Sequence, residues 1–384
     1  MADLVNRRRF LEIGTLGVGY GALAPHASAV QSRQIATSRV RMIGDGLGFS
    51  PRELADTWTQ LATNGQIEPD SYSNGGTVER LENACAAALG KERAIFMPTG
   101  TLANHLAVRA LAGGTGRAIV QAESHLYNDS GDCVQTLSNM PLIALGPNQA
   151  SFSLEQLETA VDRAQTGRVE TPIRVISVET PVRRRFGETF DANELERVVS
   201  FAKQREIKLH LDGARIFLQA AYENRPVSDY TAPFETVYVS LYKYFNAPSG
   251  AILAGPRSML DGMFHTRRMF GAGLPSSWPF AAVAHHYLPG FTARFRQAVE
   301  NAETWTGLIS EHDAFVVERI NNGTNLLRLR IAGTDPLRFR TRLERAGVVV
   351  GRPRGTGQFL VSVNETWNRR PADELAAIFV EALG

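Results

Sequence analysis

The sequence predicts an α/β fold built on a mostly parallel sheet with helices on both faces. Short, nearly continuous apolar segments such as RAIVQA, PIRVISVE and KLHLD alternate with segments whose apolar residues recur at helical spacing. Strands that are apolar along their length are typical of a sheet buried on both faces, and repeated β-then-α units are typical of parallel strands. The 384 residues are 43% hydrophobic and 21% charged, which allows one large domain and a smaller one.

Charge and cysteine content exclude several classes of function. A formal net charge of +2 gives no indication of a nucleic-acid partner. The two cysteines, Cys85 and Cys133, are far apart and lie outside any CxxC pattern. We therefore expect neither a disulfide framework nor a metal site, but two buried thiols.

Residues 1–29 predict an export signal. A basic triplet, Arg7–Arg9, precedes a glycine-rich and mildly apolar stretch that ends in the cleavage-like sequence Ala27-Ser28-Ala29. Arg7 and Arg8 followed by RFL resemble the twin-arginine export signal of bacteria, and an amphipathic helix is the alternative. The resemblance implies export by the twin-arginine translocase to the periplasm or the exterior. The apolar stretch is too short to span a bilayer, so we expect no membrane association of the mature form.

The rest of the chain divides into three predicted parts, namely an N-terminal segment over 30–70, a large domain over 71–274 and a small α+β domain over 275–384. In the N-terminal segment, Ser50 predicts the cap of a helix and Pro51 its first position.

In the large domain, TVERLENACAAALG predicts a helix that stops before Gly90. A strand at Ala94–Met97 ends at Pro98, and a helix starts around Thr101. Strands and helices then alternate, and Ser153 caps one of the helices. The small domain is predicted as strand, helix, strand, helix, from NLLRLRI to RPADELAAIFVEAL.

Three positions at strand ends carry candidate chemistry, because ligands of open α/β sheets bind beyond the carboxyl ends of the strands. Thr99-Gly100-Thr101 opens a helix, so its free N–H groups and hydroxyls form a cradle for a phosphate; simple capping by Thr99 is the alternative. Asp212 ends the strand KLHLD, with Arg215 three residues later; an ion pair or a helix cap is the alternative.

Lys243 follows the apolar strand Thr236–Leu241, between Tyr242 and Tyr244. Burial lowers the pKa of a lysine and makes it a nucleophile toward a carbonyl carbon, whereas an exposed loop lysine is the alternative. A phosphate cradle, a carboxylate and an amine at strand ends are together what pyridoxal 5′-phosphate requires. The amine binds its aldehyde, and the carboxylate keeps its ring nitrogen protonated.

The span from about Tyr72 to Ala272 resembles the threonine aldolase and aromatic-amino-acid β-eliminating lyase family. The stretches TVERLENACAAALGKERAIFMPTGTLANHLAVRA, KLHLDGARIF and VYVSLYKYFNAPSGAILAG are similar to that family's ordered motifs. The resemblance implies an aspartate-aminotransferase-like (type I) fold with a mostly parallel seven-stranded sheet in the large domain, pyridoxal 5′-phosphate as the cofactor, and a homodimer or homotetramer.

The same resemblance implies a role for each matching residue. On the cofactor, Gly100 and Thr101 bind the phosphate, with Ser240 as a further contact, and His125 stacks on the ring. Asp212 binds the ring nitrogen and Lys243 the aldehyde carbon. The predicted catalytic residues are the last three of these, namely His125, Asp212 and Lys243.

The resemblance also implies two substrate-binding residues, Arg215 and Asp45. Arg215 binds the ring hydroxyl or the substrate carboxylate.

Three positions depart from the family's motifs. Val182 stands where the family has a histidine near the substrate hydroxyl, and Gly44 stands where it has a serine. GQFLVSVN lacks the arginine that clamps the substrate carboxylate. Arg352 and Arg354 are candidates to replace that arginine, with surface charge as the alternative. His125 alone is a weak base for a retro-aldol cleavage.

The leading hypothesis is an exported pyridoxal-phosphate-dependent lyase that cleaves a β-hydroxy-α-amino acid to glycine and an aldehyde. Transamination, racemisation or β-elimination on another amino-acid-like metabolite is the enzymatic alternative. A catalytically inactive binding protein and a Rossmann oxidoreductase, with NAD(P) bound through Gly44–Gly48, also stay open at this point.

Overall fold

The protein's structure, a computed structural model, describes residues 39–355 and 357–384. Its strands are β1 (Val40–Arg41), β2 (Arg93–Met97), β3 (Arg117–Gln121), β4 (Leu142–Leu145), β5 (Ile173–Glu179), β6 (Lys208–Asp212), β7 (Thr236–Ser240), β8 (Ala251–Gly255), β9 (Phe315–Arg319), β10 (Leu326–Ile331), β11 (Val348–Val349) and β12 (Gln358–Ser362). Its α-helices are α1 (Pro51–Thr63), α2 (Gly76–Ala88), α3 (Gly100–Leu111), α4 (His125–Asn128), α5 (Cys133–Ser138), α6 (Leu154–Gln165), α7 (Ala192–Gln204), α8 (Ile216–Tyr222), α9 (Val227–Thr231), α10 (Arg257–Leu260), α11 (Met263–Met269), α12 (Trp278–Tyr287), α13 (Phe291–Ser310), α14 (Pro336–Arg345) and α15 (Ala372–Glu381). The predicted export signal over residues 1–29 lies outside the described residues.

A seven-stranded sheet forms the centre of the fold, in the order β2-β8-β7-β6-β5-β3-β4. The strands from β7 through β4 pair in parallel, whereas β8 runs antiparallel to both β2 and β7. A short loop rather than a helical crossover joins β7 to β8, which is why β8 can run back beside its predecessor. The predicted mostly parallel sheet is confirmed.

The strands are buried on both faces, as their apolar sequences predict. In β7, Val237 and Val239 pack into one apolar cluster, and Tyr238 packs into another with Ala103 and Leu106 of α3. Because side chains alternate along a strand, Ser240 lies on the same face of β7 as Tyr238. The amino end of α3 therefore faces Tyr238 and the end of β7.

Two smaller sheets involve the C-terminal part of the chain. β12, β10 and β9 form an antiparallel sheet, and β1 pairs in parallel with β11. The sequence predicts β10, α14, β12 and α15, but neither β9 nor β11. Strand β9 lies at an edge and is only partly buried, so its apolar signal is weak. The domain boundary at residue 275 stays a prediction.

Several local predictions are confirmed. The hydroxyls of Ser50 and Ser153 each accept the N–H of the third residue of the helix that follows. Gly90 has φ +59° directly after the cap of α2, a conformation that glycine adopts without strain. Cys85 and Cys133 are buried and not joined in a disulfide.

Residues 39–355 and 357–384 contain no group of three or more histidine, cysteine or acidic side chains placed to hold a metal ion. None of their helices has both the length and the apolar character to cross a membrane.

Candidate active site

The candidate site lies beyond the carboxyl ends of three adjacent strands. The last residue of β5, Glu179, is the register partner of Asp212 at the end of β6, and Asp212 is in turn the partner of Tyr238 in β7. Lys243 lies in the loop after β7. A cavity of about 530 Å³ is lined by all four of these side chains. Its lining also includes three further residues that the sequence predicts, Asp45, His125 and Arg215.

The amine of Lys243 is half-buried between two phenol rings. Its Nζ lies 5.9 Å from the ring centroid of Tyr238 and 4.8 Å from that of Tyr242. Burial and then the charge of Arg215 lower the pKa of Lys243 to about 8, although the carboxylate of Asp212 acts in the opposite direction. A substantial fraction of this amine is therefore neutral near physiological pH and able to act as a nucleophile.

A chain of buried hydrogen bonds fixes the carboxylate of Asp212. Its Oδ1 accepts the N–H of Ala214 at 3.1 Å, and its Oδ2 accepts Nδ2 of Asn104 at 2.5 Å. The Asn104 Oδ1 lies 2.9 Å from Nε2 of His210, whose Nδ1 lies 2.8 Å from Oγ1 of Thr236. Burial lowers the pKa of His210 to about 4, so the ring is neutral. Nε2 then donates to Asn104, and Nδ1 accepts from Thr236.

Asp45 holds Arg215 in the cavity. The Arg215 Nε donates to Oδ2 of Asp45 at 2.9 Å, and Nδ2 of Asn325 donates to Oδ1 of Asp45 at 3.2 Å. Burial opposes the charge of the guanidinium, but the carboxylates of Asp45 and Glu179 raise the pKa of Arg215 above its ordinary value. Arg215 is thus a fixed cation, and its two terminal nitrogens are not occupied by Asp45.

Glu179 is a buried carboxyl group at the end of β5, beside Asp212 at the end of β6. Its Oε2 accepts the N–H of His125 at 2.5 Å, and its Oε1 accepts the N–H of Arg183 at 2.9 Å. Burial and then the charge of Asp212 raise the pKa of Glu179, against these two hydrogen bonds. Glu179 therefore places the backbone of His125, and its carboxyl group binds a proton more readily than that of an ordinary glutamate. The His125 Nδ1 lies 3.3 Å from Oγ of Ser130.

The predicted phosphate cradle lies beside this cavity rather than in its lining. Thr99 Oγ1 accepts the N–H of Leu102, which caps α3 as the alternative interpretation holds. The first N–H groups of α3, on Gly100 and Thr101, have no partner within the helix. A Cβ on Gly100 would clash with the phenol of Tyr238, so only glycine allows this close approach.

These residues fit pyridoxal 5′-phosphate. Ser240 lies at the end of β7. Its buried hydroxyl interacts with the phenol of Tyr238 and has no other hydrogen-bonding partner within the described residues. A buried hydroxyl with spare hydrogen-bonding capacity, on the strand face that α3 covers, is suited to a phosphate oxygen. An amine of lowered pKa and a fixed carboxylate, Lys243 and Asp212, line one cavity. The donor set thus matches an aldehyde, a ring nitrogen and a phosphate.

Several other predicted residues lie elsewhere. Val182 is fully buried, its N–H donates to the carbonyl of Glu188, and it is not part of the cavity lining. Arg354 lines a different cavity beside Phe186, and Arg352 is exposed outside both cavities. Neither arginine is therefore placed to bind a substrate carboxylate at Lys243 in this structure.

The N-terminal glycines do belong to the site. Gly44 and Gly48 line the cavity, but the preceding strand β1 pairs with β11 outside the seven-stranded sheet. A Rossmann site needs these glycines between a strand of the main sheet and its helix. The oxidoreductase alternative is therefore inconsistent with the fold.

Sequence reasoning missed four residues of the site, and some signals were present. Glu179 ends a predicted strand next to the strand of Asp212, and His210 precedes Asp212 by two residues, so both positions followed from strand alternation. Asn104 lies one helical turn after Gly100 and shares its face. Arg41 lines the cavity from a two-residue strand; the sequence predicts an extended segment there but gives no indication of a site.

Comparison with known proteins identifies the family. A family model described as beta-eliminating lyase matches residues 57–332. The chain belongs to the beta-eliminating lyase family. The chain is 26% identical to low-specificity L-threonine aldolase 1 of Arabidopsis thaliana over 223 residues, which are 57% of this chain and 62% of that protein. It is 26% identical to the low specificity L-threonine aldolase of Escherichia coli O157:H7 over 268 residues, 69% of this chain and 78% of that one.

The fold is shared with solved structures as well. A threonine aldolase of Leishmania major superposes with a TM-score of 0.67 at 13% identity, over 89% of this chain and 98% of that one. The chain spans about three fifths of the length of several curated relatives that it matches. Membership of the beta-eliminating lyase family and the shared fold confirm the predicted type I fold, and pyridoxal 5′-phosphate is the cofactor of this family.

Proposed function

We propose that this beta-eliminating lyase cleaves a β-hydroxy-α-amino acid to glycine and an aldehyde, in the manner of a threonine aldolase. The placement of the Lys243 amine and the Asp212 carboxylate in one cavity carries the proposal. The names of the Arabidopsis and Escherichia coli relatives support this substrate class.

Each residue has a physical task when pyridoxal 5′-phosphate is bound. The cofactor supplies a protonated ring that withdraws electrons from the substrate Cα. Lys243 would hold the aldehyde carbon through Nζ, which can also carry a proton. Asp212 would keep the ring nitrogen protonated, and the bonds from Ala214 and Asn104 hold its carboxylate in place. The terminal nitrogens of Arg215 are directed to the cavity for the substrate or the ring hydroxyl.

The proton of the substrate β-hydroxyl needs an acceptor, and two groups of the cavity qualify. His125 lines the cavity with a ring nitrogen near Ser130. Glu179 is the second group, because the raised pKa of its carboxylate makes it a stronger base than an ordinary glutamate. Val182 is buried outside the cavity lining and takes no part. We therefore assign the proton acceptor to His125, whose backbone N–H donates to Glu179.

A panel of amino acids tests the proposal. We expect the protein loaded with pyridoxal 5′-phosphate to release aldehyde and glycine from L-threonine or L-allo-threonine, because the site retains its amine and carboxylate. Aldehyde, keto acid and ammonia are measured in parallel, with Lys243→Ala protein as the control. Keto acid without ammonia would instead indicate an aminotransferase, keto acid together with ammonia a β-elimination, and no product at all a binding protein.

Export is a further proposal, supported by the Arg7 and Arg8 pattern alone. Replacing both arginines by lysine is expected to keep the protein in the cytoplasm, because the translocase recognises the paired guanidinium groups. Immunoblots of cell fractions measure this, and a single Arg9→Lys protein is the control. Equal export of both proteins would contradict the proposal.

The resemblance to type I enzymes also leads us to propose a homodimer or homotetramer.

A further inference from the structure

Arg41 is a cation of the cavity that the preceding assignments leave without a role. It ends β1, and its side chain lines the cavity together with Lys243 and Arg215. Its backbone is anchored on both sides, because its N–H donates to Oγ1 of Thr366 at 2.9 Å and its carbonyl accepts Nδ2 of Asn364 at 2.8 Å. The main chain of Arg41 is therefore fixed beside the cavity.

The guanidinium of Arg41 has no acidic partner in the described residues. Its Nε is buried and makes no hydrogen bond. Arg369 is a charged neighbour of the same sign. Burial lowers the pKa of Arg369, and the charge of Arg41 is among the smaller causes that lower it further. A buried donor without an acceptor costs free energy unless a ligand satisfies it.

The backbone beside Arg41 leaves room for this side chain. Any Cβ on Gly48 would clash with Nε and Cζ of Arg41, so the guanidinium lies directly against the main chain of that glycine. Gly48 also lines the cavity, at φ +64°. The backbone at Gly48 thus packs against the side chain of Arg41 where that side chain reaches the cavity.

The other arginines near the cavity are engaged or exposed. Arg215 donates its Nε to Asp45 at 2.9 Å. The side chain of Arg183 is 59% exposed and lies 3.9 Å from a carboxylate oxygen of Asp129. Arg354 lies over the ring of Phe186, 6.0 Å from its centroid, outside the cavity.

We propose that Arg41 binds a carboxylate of the amino-acid substrate. This inference rests on the proposed function, since it assumes that the cavity takes an amino acid. A guanidinium matches a carboxylate with two parallel hydrogen bonds, and the partly buried setting strengthens both. The carboxylate is either the α-carboxylate, shared with Arg215, or a second carboxylate on the substrate side chain. Both sources present the same chemistry to Arg41.

Ligand binding to the protein loaded with pyridoxal 5′-phosphate tests the proposal. Calorimetry measures Kd for glycine, which has an α-carboxylate only, and for L-aspartate, which has two carboxylates. For Arg41→Ala we expect Kd to rise roughly 10- to 100-fold, the effect of losing a charged hydrogen-bonding partner. A rise for both ligands assigns Arg41 to the α-carboxylate, and a rise for L-aspartate alone assigns it to the side-chain carboxylate.

Two variants keep the experiment decisive. Arg41→Lys retains the charge but not the paired geometry, and its Kd should lie between those of wild type and Arg41→Ala. Arg354→Ala removes an arginine outside the cavity and should leave both Kd values within twofold of wild type. Melting temperature and cofactor content are measured for all the proteins, so that a folding defect is recognised.

The inference is overturned if Arg41→Ala binds both ligands within twofold of wild type, if Arg354→Ala weakens binding equally, or if the wild-type protein binds neither ligand. Its failure is separate from that of the proposed function. A protein that releases no aldehyde yet loses ligand affinity on Arg41→Ala supports the role of Arg41 and refutes the aldolase. Normal aldehyde release with unchanged Kd values supports the aldolase and refutes the role of Arg41.

Discussion

Lys243→Ala protein is expected to bind pyridoxal 5′-phosphate without any covalent bond and to lose turnover by roughly 10³-fold or more, because nucleophile and proton carrier disappear together. Borohydride reduction followed by peptide mass spectrometry locates the covalent bond in the wild-type protein. The exposed Lys203, on α7, gives the matched control, and Lys203→Ala should behave as wild type. Full activity of Lys243→Ala would remove the mechanism.

The pH dependence of cofactor attachment belongs to the same prediction. Only the neutral amine attacks an aldehyde, and the pKa of Lys243 is lowered to about 8, chiefly by burial. The rate of attachment to cofactor-free protein should therefore rise as the pH increases through about 8 and level off above it. An ordinary lysine would show this rise near its usual pKa of 10.5. Stopped-flow absorbance measures the rate, and a midpoint near 10 would contradict the buried environment.

Asp212→Asn is the second substitution with a large expected effect. The amide keeps the shape of the carboxylate but carries no charge to hold the ring nitrogen protonated. We expect the cofactor to remain attached to Lys243 while kcat falls roughly 10²- to 10³-fold, as when one electrostatic stabiliser of a transition state is lost. Steady-state kinetics give kcat, and borohydride trapping gives the attached cofactor.

The exposed Asp313 provides the matched control, since Asp313→Asn removes the same charge far from the cavity lining. Asn104→Leu is a second informative variant, because it removes the donor to Oδ2 and leaves Asp212 itself intact. If Asp212→Asn turned over at the wild-type rate, the carboxylate would have no part in catalysis.

The sequence predicts the parts of the site that follow from strand order. Asp212 and Lys243 follow apolar strands, and parallel strands end at one edge of the sheet, so their meeting in one cavity was predictable. The phosphate cradle was predictable for the same reason, because helix α3 begins directly after β2. The predictions over residues 1–29 remain untested, since they lie outside the described residues.

The remaining residues depend on contacts between distant parts of the chain. Asn104 and His210 are 106 positions apart in the sequence, yet they share a hydrogen bond of 2.9 Å. No local pattern indicates such a pair, and a buried histidine or asparagine is usually interpreted as a core polar group. Arg41 and strand β9 are missed for another reason, because short or edge strands bury too few apolar side chains to show a pattern.

The pairing of β1 with β11 affects when the site can form during synthesis. Arg41 and Asp45 leave the ribosome well before three of the groups that hold them, Asn325, Asn364 and Thr366. A nascent chain that stops before residue 325 can already pair its central strands and join Asp45 to Arg215, but it lacks those three anchors for the opening loop. Vitamin B6 capture competent for turnover should therefore wait until the chain as far as Thr366 has emerged.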